Sequence, residues 1–160
     1  MATDAGVPAV SAPTTRAVAF ADLDVRTAYD VWRLRQDVFV VEQACPYPDL
    51  DGRDTEPGTR HVLLHLGDTG AGGTLVGCAR VLDDGDVWRI GRLLLAPAAR
   101  GRGLAETLLR ACLDACPGRD VVLDAQSPLR DLYAGFGFEV SGPEFLEDGI
   151  AHLPMRLARH

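Results

Sequence analysis

The sequence predicts one α/β (α+β) domain built on a mixed, mostly antiparallel central sheet of about seven strands, with helices on both faces. Three observations support this prediction. The length of 160 residues fits a single domain. The apolar share of 47% is enough to build a core. Short apolar runs also alternate with longer helical segments, in the order β-αα-βββ-α-β-α-ββ.

Individual elements follow from periodicity and from the residues that interrupt it. Apolar runs bounded by Gly, Pro and Asp predict strands over 17–23, 61–66, 74–82, 87–96, 121–126, 138–140 and 152–158. Helical spacing of apolar residues predicts one or two helices over 24–43, and single helices over 102–116 and 128–137. Asp24 is the expected N-cap of the first helix. The Asp-Asp-Gly-Asp break at 83–86 indicates a hairpin.

Two segments lack any period. Residues 1–15 are rich in Ala, Pro and Thr and predict a flexible tail, which leaves residues 16–160 as the folded domain. Residues 44–60 are rich in Pro, Gly and Asp and predict a long loop. A loop of that length in a small domain is more often functional than idle.

Charge and hydropathy exclude several classes of protein. The net charge of -7 argues against non-specific nucleic-acid binding, which needs a basic surface. All sixteen basic residues are Arg, and no apolar run reaches the ~18 residues of a membrane span. The N-terminus shows no secretory signal. We therefore expect a cytoplasmic protein that binds neither nucleic acid nor membrane.

The four cysteines, Cys45, Cys78, Cys112 and Cys116, do not form a disulfide framework at this length. Cys112 and Cys116 lie one helical turn apart, which is a spacing that half of a metal site can have. They also lie on the apolar side of a predicted helix, where a free Cys acts as a small hydrophobe. No second ligand pair is nearby, so we expect no metal.

The most informative stretch is LLLAPAARGRGLAETLL, in which a predicted strand leads through two glycines into a helix. The first N–H groups of a helix have no internal partner and carry the positive end of the helix dipole. Glycines let a pyrophosphate approach those amides, and Arg100 and Arg102 add charged donors. The alternative is a glycine turn without a ligand.

Two other phosphate motifs do not fit this stretch. A P-loop needs a Lys, and the chain has none. A Rossmann fingerprint needs a third glycine, which is missing at the required place after Gly103. The expected ligand is therefore a pyrophosphate-bearing cofactor of another kind.

The pattern Arg100-x-x-Gly103-x-Ala105 resembles the Arg/Gln-x-x-Gly-x-Gly/Ala signature of the GNAT acetyltransferases. The stretch from Gln126 through Tyr133 to Gly137-Phe138 is similar to the second cofactor segment of that family. The segments 34–54, 90–103 and 147–155 are similar to the ElaA-type subgroup. Together these matches cover nearly the whole chain beyond residue 20.

The resemblance implies an N-acetyltransferase that uses acetyl-CoA and releases CoA. Backbone groups of Leu93, Leu94 and Leu95 would pair with the pantetheine arm, as in strand addition. The implied pyrophosphate contacts are the backbone amides of the turn: Gly101, Arg102, Gly103, Leu104 and Ala105. Tyr133 would be the general acid that protonates the leaving thiolate. Its alternative role is that of a core aromatic residue.

The sequence departs from the family at two places. Gln126 stands where the second segment usually begins with Asn. Arg89 and Arg92 stand on the strand where many members carry a Glu that acts as general base through water. Candidates for the base, or for acceptor binding, are therefore named by residue type alone: Glu42, Asp51, Asp54, His61 and His152. For each of them the alternative is a solvated or structural side chain, and water is an alternative base for an amine whose own pKa is low.

The acceptor is expected beside the loop 44–60 and the segment 147–152, both of which are acidic. The acids concerned are Asp49, Asp51, Asp54, Glu56, Glu147 and Asp148. Acidic walls concentrate cations, so a small amine or a basic peptide end is the expected acceptor. The alternative is that these carboxylates only make the loops soluble. Tyr47, Trp88 and Phe145 are candidates for an apolar pocket or for the core.

A second hypothesis comes from a different class of protein. According to this hypothesis, the chain is a non-catalytic acyl-CoA-binding or partner-binding module that keeps the phosphate turn and has lost catalytic activity. The missing strand Glu favours this module, whereas Tyr133 and the acidic loops favour the enzyme. Homodimers are common in the resembling family, which allows for a second copy of the chain as a partner.

Overall fold

A computed structural model describes residues 12–67 and 72–160 of the chain. Within them, eight strands form one sheet, in the order β1-β2-β3-β4-β5-β8-β6, and β7 also pairs with β8. The strands are β1 (Thr14–Val18), β2 (Arg60–Leu66), β3 (Thr74–Asp83), β4 (Trp88–Leu95), β5 (Val121–Gln126), β6 (Glu139–Val140), β7 (Phe145–Glu147) and β8 (Ile150–Leu157). Of the pairings between them, only β4 with β5 is parallel.

The helices are α1 (Val25–Arg35), α2 (Leu104–Asp114) and α3 (Arg130–Ala134), and a π-helical segment (Gln36–Glu42) continues α1. As predicted, Asp24 caps α1, since its carboxylate accepts the Thr27 N–H at 2.8 Å. No helix of the described residues is long and apolar enough to cross a bilayer.

The core lies in two layers, one on each face of the sheet. On one face, α2 packs Leu108, Leu109 and Cys112 against Val62 and Leu64 of β2. On the other face, α1 and the π-helical segment pack Val31 and Val38 against Leu63, Cys78 and Leu94. Neighbouring residues of β2 serve opposite layers because side chains alternate along a strand. The predicted mixed, mostly antiparallel sheet with helices on both faces is thus confirmed.

Three local predictions need correction. Thr14 and Thr15, assigned to the tail, already belong to β1 and pair with β2, which fixes where that strand begins. The predicted strand 17–23 therefore ends at Val18, and the chain leaves the sheet in a short helical turn at 20–22 to reach the cap of α1. Strand β7 was not predicted, because its three exposed residues show no alternation. Residues 1–11 of the predicted tail lie outside the described part of the chain.

Strands β4 and β5 separate soon after they meet. They pair only at Trp88 with Val121 and at Arg89 with Val122. Further along β4 the register with β3 shifts, so that a bulge forms. Arg92 lies in this bulge with φ of +51°, which is rare for a residue with a side chain. The result is a wedge-shaped gap between the C-terminal halves of β4 and β5.

The segment between the π-helical segment and β2 is held by an ion network, most of which is buried and of which Asp51 is the exposed member. The network consists of three arginines and three aspartates: Arg35, Arg80, Arg92, Asp49, Asp51 and Asp54. Arg35 is 1% exposed and reaches Asp49 at 2.8 Å and Asp54 at 2.7 Å. Both Arg80 amino groups bind the two oxygens of Asp51 at 2.8 Å.

Replacement of Arg35 by Met should destabilise the fold by about 3–5 kcal/mol, because two buried carboxylates would lose a partner while the aliphatic packing is kept. Urea unfolding followed by circular dichroism measures this loss. Arg156→Met, at an exposed pair with Asp120, is the control and should cost less than about 1 kcal/mol. Equal midpoints for Arg35→Met and the wild type would contradict the structural role of the network.

Candidate active site

A cavity of about 1040 Å³ fills the gap between β4 and β5. One end lies at the start of α2, where Gly101, Gly103 and Ala105 line it. The other end lies against the 44–59 loop and the β7–β8 turn, with Tyr47 and Asp148 in its wall. The separation of the two strands therefore links the glycine turn to the two loops that the sequence assigned to the acceptor.

The glycine turn leaves the start of α2 open. Gly101 and Gly103 have φ of +76° and +73°, a conformation that glycine adopts without strain. A Cβ at Gly101 would meet nothing within 4 Å, and at Gly103 only Glu106 at 3.9 Å, so space for a ligand lies over the turn. Gly103 is the N-cap and brings no side chain to the free N–H groups of α2. Such a turn suits an anion.

The other residues of the turn that were predicted to contact the cofactor do not all line the cavity. Leu104 and Ala105 line the cavity, although Leu104 is mostly buried in the core below it. Arg102 is exposed and is not part of the cavity wall, because the turn made by the flanking glycines carries it to the solvent side. The predicted side-chain role of Arg102 is therefore not supported by its position.

Arg100 and Glu42, predicted for the cofactor and the acceptor respectively, bind each other. The Arg100 Nη1 and Nη2 atoms lie 2.5 and 2.8 Å from the two Glu42 carboxylate oxygens. Nη2 also donates to the Leu95 carbonyl at 3.1 Å. The hydrogen bond from Arg100 lowers the pKa of Glu42. Both side chains are more than two-fifths exposed, so this pair is weak enough to exchange for another anion.

The edge of β4 that faces β5 has no partner among the described strands beyond Arg89. Leu93, Leu94 and Leu95 all line the cavity there. The Ala96 N–H donates to Val76 on the β3 side, so the amide of Leu95 points to the cavity side, since N–H directions alternate along a strand. This free edge can accept an extended chain of polar groups, in the way that strand addition does.

Tyr133 of α3 lines the cavity from the opposite side. Its ring is 6% exposed and packs edge-on against Phe138, with the ring centroids 6.1 Å apart. The hydroxyl makes no hydrogen bond to any described residue, and burial raises the pKa of Tyr133 to about 12. The phenol is therefore protonated at neutral pH, and its O–H is free for a ligand.

Gln126 ends β5 in the cavity wall. Its side-chain amide forms reciprocal contacts of 3.3 and 3.5 Å with that of Gln43, just after the π-helical segment. Gln126 therefore joins β5 to the opposite wall of the cavity, in addition to facing the space predicted for the cofactor.

The ion network changes the prediction for the acceptor loop. Asp54 and His61 are buried and do not line the cavity, so neither reaches an acceptor there. His61 Nε2 donates to the Asp54 carbonyl at 2.9 Å, which is a structural contact. Asp51 does line the cavity, but its hydrogen bond to Arg80 holds its pKa far below the usual range. Three arginines cancel the three aspartates, so this loop is not the acidic surface that was predicted.

The other residues predicted for the acceptor site also differ in whether they line the cavity. Glu147, Asp148 and His152 line the cavity, and the two carboxylates form no ion pair with a described residue. Tyr47 lines it too, with its hydroxyl 2.7 Å from Asp49. Trp88 packs on the core instead, and its ring lies under the Arg119 guanidinium.

Sequence reasoning missed Arg35, Arg80 and the pairing role of Arg92. One signal was present, because Arg80 interrupts the apolar run of β3 and a charged residue in a buried strand needs a buried partner. Cys112 and Cys116 are fully buried in the α2 layer, and the described residues contain no group of three metal ligands.

The sequence pattern of the acetyltransferase (GNAT) domain matches residues 58–159. A UPF0039 protein of Mycobacterium tuberculosis is 46% identical over 138 residues, covering 84% of this chain and 86% of that protein. Protein ElaA of Escherichia coli is 38% identical over 141 residues, covering 84% and 89%.

Solved structures agree with the sequence relatives. An acyl-CoA N-acyltransferase from Pseudomonas aeruginosa has a TM-score of 0.83 at 34% identity, covering 92% of this chain and all of that one. The crystal structure of Escherichia coli ElaA has a TM-score of 0.81 at 34% identity, covering 91% and 99%. Together with the free β4 edge and the open start of α2, these matches show that the chain belongs to the GNAT acetyltransferase family, whose members transfer acyl groups from acyl-CoA.

Proposed function

We propose that this protein transfers an acetyl group from acetyl-CoA to a primary amine, by direct attack of the amine on the thioester. The observation that carries the proposal is the continuous cavity that runs from the open amides of α2, along the free edge of β4, to the hydroxyl of Tyr133. Its three parts suit a pyrophosphate, an amide-rich arm and a leaving sulfur, in that order.

The residues of the glycine turn fit the pyrophosphate of CoA. The N–H groups at the start of α2 supply donors, and the free space over Gly101 and Gly103 admits the phosphate oxygens. Arg100 would exchange Glu42 for a phosphate, because the exposed pair is weak and a pyrophosphate carries more charge. The amides along Leu93–Leu95 and the Gln126 side chain would hold the pantetheine arm.

The same cavity wall supplies the groups that the reaction needs. The backbone N–H groups near Leu93 to Leu95 would stabilise the negative charge that develops on the carbonyl oxygen. Tyr133 would give its proton to the sulfur as the carbon–sulfur bond breaks and regain a proton from solvent. The phenol is in the acid form that this step requires, because its pKa lies well above neutral pH.

The chemical class of the acceptor follows from the two carboxylates at this end of the cavity that are not part of the ion network. Glu147 and Asp148 are exposed on the β7–β8 turn and line the acceptor end, where they attract a cationic amine or a basic peptide end. The selectivity should be modest, since Asp49, Asp51 and Asp54 are already paired. A cytoplasmic location agrees with the four unpaired, buried thiols.

Release of CoA thiol from acetyl-CoA tests this function with a panel of primary alkylamines, aromatic amines and basic peptides. We expect turnover with at least one cationic amine and a weaker rate with acidic acceptors. Binding of CoA in a thermal shift, without turnover on any amine, would instead support the non-catalytic acyl-CoA-binding module. Light scattering on the same sample tests for a homodimer.

Replacement of Tyr133 by Phe should lower kcat by about 100-fold or more at saturating substrates, because the thiolate would leave without its acid. CoA affinity should stay within about threefold, since the ring is kept. Thiol release and calorimetric titration with CoA measure the two effects. Tyr29→Phe on the exposed side of α1 is the matched control. Full turnover by Tyr133→Phe would remove the acid role.

Replacement of Gly103 by Ala should weaken CoA binding at least about tenfold, because a methyl group would fill the space that the phosphate needs. Gly118→Ala is the control, since Gly118 has φ of +71° and open space around it but lies beyond the far end of α2. Both variants carry the same backbone strain, so a similar loss of stability is expected in each. Equal CoA affinity in the two variants would contradict the phosphate site.

A further inference from the structure

We propose that His152 is the general base of this transfer and takes the proton from the attacking nitrogen at its Nε2 atom. The inference rests on the proposed function and assigns the group that the sequence left open. Family members with a Glu on the β4 strand have a base there, but this chain has Arg89 and Arg92, and both are engaged in ion pairs.

The tautomer of His152 is set by its neighbours. The Nδ1 atom lies 2.8 Å from the carbonyl oxygen of Ile150. A carbonyl oxygen only accepts hydrogen bonds, so Nδ1 carries the proton in the neutral ring. The lone pair is then on Nε2, for which the structure shows no partner among the described residues. His61 is the reverse case, since its Nε2 donates to a carbonyl in the core.

The ring of His152 is also held in a fixed orientation. It stacks on Phe145, with centroids 5.7 Å apart and an interplanar angle of 22°. The two residues face each other across the β7–β8 pair. On the other side of β8, His152 is in register with Gln126, so both side chains lie on the same face of the sheet and line the cavity. A base must be positioned before it can act, and these contacts provide that.

Competing bases in the described cavity wall are engaged or remote. Asp51 is paired with Arg80, Asp124 lies 3.6 Å from the Arg89 guanidinium, and Glu42 lies beside Arg100 at the cofactor end. Tyr47 donates to Asp49 and has its pKa raised by burial. Glu106 lies at the cofactor end, on the first turn of α2. Glu147 and Asp148 are exposed on the β7–β8 turn, and no ion pair with a described residue holds their carboxylates in place.

The proton balance is complete with two residues. The bound ammonium first loses one proton to solvent, so that its nitrogen has a lone pair. The nitrogen then bonds to the carbonyl carbon and loses a second proton to Nε2 of His152, while the carbon–sulfur bond breaks and Tyr133 gives one proton to the departing sulfur. His152 then releases its proton to solvent, and Tyr133 recovers one from solvent. The products are the amide and free CoA thiol.

The kinetic test compares His152→Asn with wild type on the best amine of the panel. Asn keeps a side-chain N–H near the position of Nδ1 but offers no basic lone pair. We expect kcat to fall about 100-fold or more, with KM for the amine and Kd for CoA within about threefold of wild type. His65→Asn on β2, outside the cavity wall, is the matched control and should keep full activity.

A long-range ¹H–¹⁵N correlation spectrum of the wild type gives an independent readout, because it reports which ring nitrogen carries the proton. We expect the Nδ1–H tautomer for His152, identified by the loss of its signal in His152→Asn. The Nε2–H tautomer, or kcat of His152→Asn within threefold of wild type, would overturn the base role and leave the proposed function standing. No thiol release by the wild type on any amine would overturn both.

Discussion

The pairing of three arginines with three aspartates is the interaction on which one wall of the cavity depends. The arginines come from three elements, α1, β3 and the bulge of β4, whereas all three aspartates come from one loop. A buried charge is tolerated only with a partner, so each pair fixes the loop against a different part of the scaffold. The loop that closes one end of the cavity therefore has a defined shape without secondary structure of its own.

The same network accounts for the strained backbone of the bulge. Arg92 has a left-handed conformation that costs about 1–3 kcal/mol for a residue with a side chain. Its guanidinium contacts Asp49 at 2.8 Å and lies over the ring of Tyr47, and these contacts offset that cost. The bulge lies where β4 separates from β5. The loop, the bulge and the cavity are thus parts of one arrangement. Arg92, which stands on the strand where many family members carry a Glu, has a structural role in it.

The elements that the sequence predicted well are those with strong local signals. The strand Val121–Gln126 was predicted with its observed bounds, because a short apolar run between turns has few alternatives. The glycine turn was recognisable since its conformation needs glycine at Gly101 and Gly103. The residues of the acceptor site were harder to predict, because Asp51, Asp54 and His61 were chosen by residue type alone. Whether a carboxylate faces a ligand or an arginine depends on residues distant in the chain.

The sequence by itself determined the fold class, the family and the turn at Arg100–Ala105, because these depend on periodicity and on residues next to one another. Only the tertiary structure decided which charged groups are available. It paired Arg100 with Glu42, used the aspartates of the loop for the ion network, and set the proton of His152 through Ile150. The physical reason is that the state of a polar group depends on its partners in space, and those partners come from elements far apart in the chain.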